Sequence, residues 1–248
     1  MVDIEVYSKK KDKLRQPAAE WLPSLPVLMC CSGPSMSGKG ILIQNLICNP
    51  NLYHDSKGDS CFEQIHYFTG SAKLDTNLER IKRWCEDVLH QDQEKNPSIH
   101  DGLNQEEARN VIEKQRKAVR KARRESKRIP SILIVIDDMI DDKKSMGSQL
   151  VTELLTKGRH SHISTILSTQ KMRGISHICR LQFTCIAQFA VRSKRDWEVV
   201  LEEFTATIDP KVLQQMYDMV TSQPYQFLFM DLKNNKFYKS FQSELKAN

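Results

Sequence analysis

The chain has no apolar run approaching the roughly 18–20 residues that cross a bilayer, and its opening, MVDIEVYSKKKDK, has no apolar stretch of the signal-peptide kind. The reading therefore expects an intracellular protein with no membrane partner. No CxxC pair occurs, the seven cysteines are odd in number, and Cys30, Cys31, Cys48, Cys179 and Cys185 lie in or beside apolar runs. Buried thiols in a reducing compartment fit that pattern better than disulfides or a zinc site. No internal repeat is found. Acid is nearly missing from one stretch: between Lys114 and Arg128, nine basic residues stand against Glu125 alone, a local +8 in a chain whose total is +6, which leaves the remainder at −2. Basicity is thus a local feature. That stretch also lacks aromatics, which disfavours recognition of single strands by base stacking.

What is present is an ordinary packed composition, 40% hydrophobic and 27% charged over 248 residues, enough for one α/β domain with an insertion. Residues 1–22 read as a loosely held lead-in, and residues 23–248 as the domain. Val27–Cys31 reads as a strand, Ile41–Ile47 as a helix, and Gln64–Phe68 as a second strand. A polar, helix-favouring stretch from Leu74 to Arg128 reads as a basic helical insertion. Ile132–Ile136 is a continuous run of Ile, Leu and Val, the pattern of a strand covered on both faces and hence of a parallel sheet. Gln149–Leu155 suits a helix, Ile163–Leu167 and Cys185–Val191 strands, Ser193–Phe204 and the segment opened by Asp209-Pro210 helices, and Gln226–Phe241 a β-hairpin. The fold expected is a three-layer α/β domain of the RecA-like kind, with a mainly parallel sheet and a C-terminal hairpin.

Between the first strand and the first helix lies Gly33-Pro34-Ser35-Met36-Ser37-Gly38-Lys39, which satisfies GxxxxGK in the context the motif requires. The glycines let backbone amides curl around phosphates, the following helix, opened by Gly40 and Ile41, points its positive end at them, and Lys39 adds a mobile charge. A chance Gly-Lys turn is the bland alternative. One departure stands out: Gly40 occupies the place where the pattern wants a Ser or Thr hydroxyl for Mg²⁺. Downstream, Ile132–Ile136 ends in Asp137-Asp138, a Walker-B pattern. Asp137 would reach Mg²⁺ and Asp138 would orient and deprotonate the attacking water. The same acids could merely begin a surface turn, since Asp141, Asp142, Lys143 and Lys144 follow. Gln170 ends the strand that starts at Ile163, where its amide could touch both water and γ-phosphate. Arg159, before that strand, lies at the opposite edge, where it could face a neighbour's nucleotide or simply cap a helix end. Arg192 is the rival finger.

Taken together, GPSMSGKG, ILIVIDDMI and KGRHSHISTILSTQ resemble the genome-packaging ATPases of poxviruses, other nucleocytoplasmic large DNA viruses, virophages and Polinton elements, a branch of the FtsK/HerA superfamily. The likeness covers roughly Pro26 to Arg195. The resemblance implies ATP contact at Gly33, Ser37, Gly38 and Lys39, Mg²⁺ at Asp137, catalysis at Asp138, sensing at Gln170 and a finger at Arg159. It further implies a homo-oligomeric ring that pumps double-stranded DNA into a preformed capsid, with capsid or portal proteins as partners, in the host cytoplasm or virus factory or associated with the virion. The family usually has Ser or Thr where this chain has Gly40, which bears on turnover.

The basic stretch is not explained by these motifs. As a helix it would carry basic residues nearly all round, with only Ala118, Val119 and Ala122 as an apolar patch. It could neutralise DNA phosphates without reading bases, or be a solvated or nuclear-localisation-like run. Two other function classes fit parts of the sequence. A P-loop nucleotide kinase would suit the GKG loop and the basic stretch, although the Thr-Gln strand end argues against it. A weakly hydrolysing, ATP-binding assembly scaffold would suit Gly40.

Overall fold

Ile132–Asp137 (β4) is buried along its length except for a half-exposed Asp137, as an uninterrupted run of Ile, Leu and Val requires. The structure, a computed structural model, describes residues 12–72, 75–138, 149–204 and 208–246. The other strands are β1 (Leu28–Ser32), β2 (Gln64–Thr69), β3 (Ile99–Asp101), β5 (Ile163–Thr169), β6 (Cys185–Phe189), β7 (Phe227–Asp231), β8 (Lys236–Lys239) and β9 (Ser243–Leu245). The helices are α1 (Lys39–Cys48), α2 (Asn77–Asp87), α3 (Gln105–Arg124), α4 (Gln149–Lys157), α5 (His177–Arg180), α6 (Lys194–Phe204) and α7 (Pro210–Thr221). All nine described strands form one sheet in the order β3-β2-β4-β5-β1-β6-β7-β8-β9. From β3 to β6 the pairing is parallel, and β7, β8 and β9 are added antiparallel.

Alternation along the strands divides the core into two faces. Met29, Cys31, Ile65, Tyr67, Leu133 and Val135 pack with α1 and α2 on one side. Leu28, Cys30, Phe68, Ile132, Ile134 and Ile136 pack with α3, α4, α6 and α7 on the other. The result is the expected helix–sheet–helix sandwich with a mainly parallel sheet and a C-terminal hairpin, β7–β8. All seven cysteines are free thiols, six of them buried and Cys48 partly so. Among the described residues no helix is long and apolar enough to cross a membrane.

The stretch read as a helical insertion does hold two helices, but β3 lies between them and extends the sheet by pairing with β2. Leu78, Ile81 and Cys85 of α2 join one core face, while Leu103, Ala108, Val111 and Ile112, before and along α3, join the other. The segment is thus built into both layers. An Ile-His-Asp strand is too short to show an alternation. α3 is also better anchored than its charge suggested. Val119 and Ala122 pack with Ile129, and the buried Gln115 amide donates to Pro130 O at 2.8 Å and Ser161 O at 3.0 Å. Ala118 instead faces solvent.

The described part of the lead-in is fixed rather than loose. Gln16 makes a two-way bond to the Leu25 backbone at 2.7 and 3.0 Å, and Leu22 and Leu25 are buried. Residues 1–11, Leu74 and the Asp141-to-Lys144 turn lie outside the described residues.

Candidate active site

Parallel register brings the strand ends that carry the candidate chemistry to one row. Asp137 on β4 stands opposite Ser168 on β5, and Ser168 stands opposite Cys31 on β1. One strand therefore separates the phosphate-loop strand from the acidic one. Two residues past Cys31 the loop begins, with Gly33 N donating to Thr169 O at 3.1 Å. A side chain at Gly33 would meet Phe189 Cβ at 2.6 Å and Ser37 Oγ at 2.9 Å, so the close approach of the loop to β6 demands glycine there. Gly38 has φ of 104°, a conformation other residues resist, and it turns the chain directly into α1. The first turn of α1 carries no acid to compete for its positive end.

Lys39 is buried, and its ammonium donates to Gly33 O at 2.7 Å and Pro34 O at 2.9 Å across the mouth of the loop. Burial pushes its pKa down, and the nearby carboxylates of Asp138 and Asp137 push it back up. A cavity of about 970 Å³ is lined by Ser35, Met36, Gly38, Lys39, Gly40 and Ile41 on one side and by Asp137 and Asp138 on the other. Gln170 stands behind the lining, its amide donating to both carboxylate oxygens of Asp138 at 2.8 and 2.9 Å. Asp138 itself, just past the end of β4, adopts φ of 50°.

Tyr67 was not picked out by the sequence. Its hydroxyl donates to Asp137 Oδ2 at 2.6 Å. Burial, then the Asp137 charge and hydrogen bond, push the phenol pKa far up, so Tyr67 is held as a neutral donor that orients Asp137. Burial, with a smaller push from Asp137, likewise raises the thiol of the buried Cys31 to about 12, which makes it inert.

The donor set fits ATP and Mg²⁺. Two carboxylates are hard oxygen ligands at the right end of the sheet, and the buried hydroxyls of Ser37 and Ser168 have no hydrogen-bond partner among the described residues. Loop amides and the α1 N-terminus suit phosphate oxygens. Gly40 sits in the first turn of α1, and a Cβ built there meets nothing within 4 Å, so the missing hydroxyl is not excluded by crowding.

Of the candidate residues, Gly33, Pro34 and Ser37 form the loop without lining the cavity wall, Gln170 reaches the site only through Asp138, and Arg159 is not brought to the cavity at all. Arg159 lies in the 3₁₀ turn Gly158–Ser161 that leads into β5, at the amino end of the parallel strands, exposed and with no side-chain partner among the described residues. Arg192 follows β6 on the cavity's end of the sheet but is not part of the lining. The turn that carries Arg159 is tied to α3: Asp12 accepts from Arg123 at 2.7 Å and from His162 at 2.8 Å. Lys114, Lys117, Arg120, Lys121 and Arg124 of α3 make no ion pair among the described residues, whereas Arg116, Arg123 and Arg128 do.

Several solved structures share this fold. The genome-packaging NTPase B204 of Sulfolobus turreted icosahedral virus 2, in complex with ATP-gammaS, superimposes with a TM-score of 0.54 at 16% identity, over 86% of this chain and 96% of that one. B204, the DNA-packaging ATPase of Sulfolobus turreted icosahedral virus, gives 0.52 at 17%, over 86% and 96%. EssC ATPases 2 and 3 of Geobacillus thermodenitrificans give 0.54 at 12%, over 87% of this chain and 39% of that one. No curated protein matches the sequence significantly. The family model described as Poxvirus A32 protein matches residues 99–237, a span that holds Asp137, Asp138, Arg159 and Gln170 but begins after the phosphate loop. Because that match covers more than half of the chain, and the loop it leaves out meets the matched aspartates in one cavity, the chain belongs to the poxvirus A32 protein family, with the fold of P-loop ATPases.

Proposed function

We propose that this A32-family ATPase is a genome-packaging enzyme that hydrolyses ATP with Mg²⁺ and uses the energy to move double-stranded DNA. The observation that carries the reading is the single cavity lined by the phosphate loop, Lys39, Asp137 and Asp138. The functional unit is residues 23–248, with 1–22 as a lead-in. Lys39 and the loop amides bind the triphosphate, and Lys39 adds charge where negative charge develops on the transferring phosphoryl group. Asp137, oriented by Tyr67, is the residue that would hold Mg²⁺, which when bound would supply positive charge against the charge developing on the phosphoryl group. Asp138 orients the attacking water and accepts its proton, and Gln170, fixed on both Asp138 oxygens, couples the state of the γ-phosphate to that base.

Arg159 cannot serve its own cavity from the other end of the sheet, so the reading assigns it to the site of a neighbouring copy in a homo-oligomeric ring. The exposed, unpaired cations of α3 are the DNA contacts, binding phosphates without base readout. Capsid or portal proteins complete the partner set, and the host cytoplasm, virus factory or virion is the place of action. The names of the structurally similar packaging enzymes support the reading by analogy of fold.

Steady-state ATP hydrolysis, measured with and without double-stranded DNA and with a nucleoside monophosphate, tests it. DNA-stimulated release of phosphate is expected. Phosphoryl transfer to the monophosphate would instead make the chain a nucleotide kinase, and ATP binding without turnover would make it an assembly scaffold.

A further inference from the structure

The cavity is larger than a triphosphate chain needs, and its far wall is not made by the phosphate loop. Phe189 ends β6, and the antiparallel register pairs it with Phe227 at the start of β7. Leu228 pairs with Lys239 at the end of β8. These pairings bring Tyr225 and the segment Ser240–Gln242 to the loop's end of the sheet, where Tyr225, Phe227, Phe241 and Gln242 line the same cavity as Lys39. Phe227 and Phe241 pack edge to face at 5.2 Å, and Phe227 lies 5.0 Å from Phe189, so they form a fixed apolar wall.

Tyr225 is different. It is 72% exposed, although it lies beside the loop: a Cβ at Gly38 would be 3.5 Å from the Tyr225 ring. Its backbone has φ of 63°, a left-handed conformation that is unfavourable for a bulky aromatic residue. Its hydroxyl has no hydrogen-bond partner among the described residues. An exposed flat ring held in an unfavourable backbone conformation, with one face open to a phosphate-binding cavity, lacks the planar partner that would cover it. The Gln242 side chain is likewise exposed and without a partner at this wall.

We propose that Tyr225 is the nucleobase platform of the site: the base of the bound triphosphate stacks on its ring, against the wall formed by Phe227 and Phe241, with the Gln242 amide facing the base edge. The proposal rests on the reading of the cavity as an ATP site and adds to it how the nucleoside half is held.

Isothermal titration of ATP and of inorganic tripolyphosphate, each with Mg²⁺, into the full chain and its Y225A, Y225N and Y225F variants tests it. Asparagine tolerates the left-handed backbone, so Y225N removes the ring without disturbing the turn. The expected result is that Y225A and Y225N each bind ATP about tenfold more weakly while tripolyphosphate binding is unmoved, and that Y225F keeps the wild-type affinity for ATP. Unchanged ATP affinity in Y225N overturns the proposal. So does an equal loss for ATP and tripolyphosphate, which would mean that the ring only supports the loop. If the wild-type chain binds neither ligand, the ATP-site reading itself fails and the platform with it.

Discussion

The two ends of the parallel sheet are built on opposite principles. At the carboxyl end the functional side chains hold one another: Lys39 on its own loop carbonyls, Asp137 on Tyr67, Asp138 on Gln170. At the amino end Arg159 and the unpaired cations of α3 stand in solvent, while Gln115 and the Asp12, Arg123 and His162 cluster bind the helix to the turn. Charge inside a low-dielectric cavity is strong but must be held in position, which suits bond-making chemistry. Charge in solvent is weak and screened singly, which suits a polyanion engaged by many contacts at once. The ATP-handling and DNA-handling halves of the proposed machine can therefore be perturbed separately.

The largest expected effect tests whether the amino end also serves a neighbour's cavity. Arg159→Ala should lower ATP turnover by about a thousandfold or more while leaving ATP binding to the same chain intact. Mixing it with a chain that lacks Asp138 should restore part of the rate, because each copy then supplies the half the other lacks. Absence of any rate loss would return Arg159 to a simple exposed side chain.

Next in size is the DNA contact. Replacing Lys117, Arg120, Lys121 and Arg124 by Gln should weaken double-stranded DNA binding by roughly two to three orders of magnitude near 0.1 M salt and reduce the log–log salt slope by about three to four. DNA-independent ATP turnover should stay as it was. An unaltered salt slope would clear α3 of a DNA role.

Tyr67→Phe should raise the Mg²⁺ concentration needed for half-maximal turnover by about tenfold, with the rate at saturating Mg²⁺ much less affected. A loss that Mg²⁺ cannot rescue would mean that the hydroxyl does more than orient Asp137. Smallest is Gly40→Ser. The site has room for the added atoms, so α1 should gain roughly half a kcal/mol from helix propensity, read as a higher Tm, and turnover should rise a few-fold. An unchanged rate would show that the chain has compensated for the missing hydroxyl elsewhere.

Most of the sheet could be read directly from the chain, because strands buried on both faces leave continuous runs such as Leu133-Ile134-Val135 with little ambiguity. β3 could not, since His100 and Asp101 give no apolar pattern. The hold on the lead-in was hidden for a different reason: Gln16 and Arg15 look like solvent residues until Leu25, Asp59 and Ser60 come near them. In the site, the loop, the paired aspartates and Gln170 carry local signatures, and the fold gathers them. Tyr67 and Tyr225 carry none. Each acquires its place from strand order, one beside β4 and the other beside the end of β6, and a side chain whose partner arrives from 70 residues away leaves no spacing to recognise.

Whether this cavity hydrolyses ATP with Asp138 as its base is decided by Asp138→Asn, with ATP affinity and single-turnover phosphate release measured on the same protein. ATP affinity should stay within a few-fold of wild type while hydrolysis slows by about 10²–10⁴-fold. Wild-type phosphate release from the variant would contradict it.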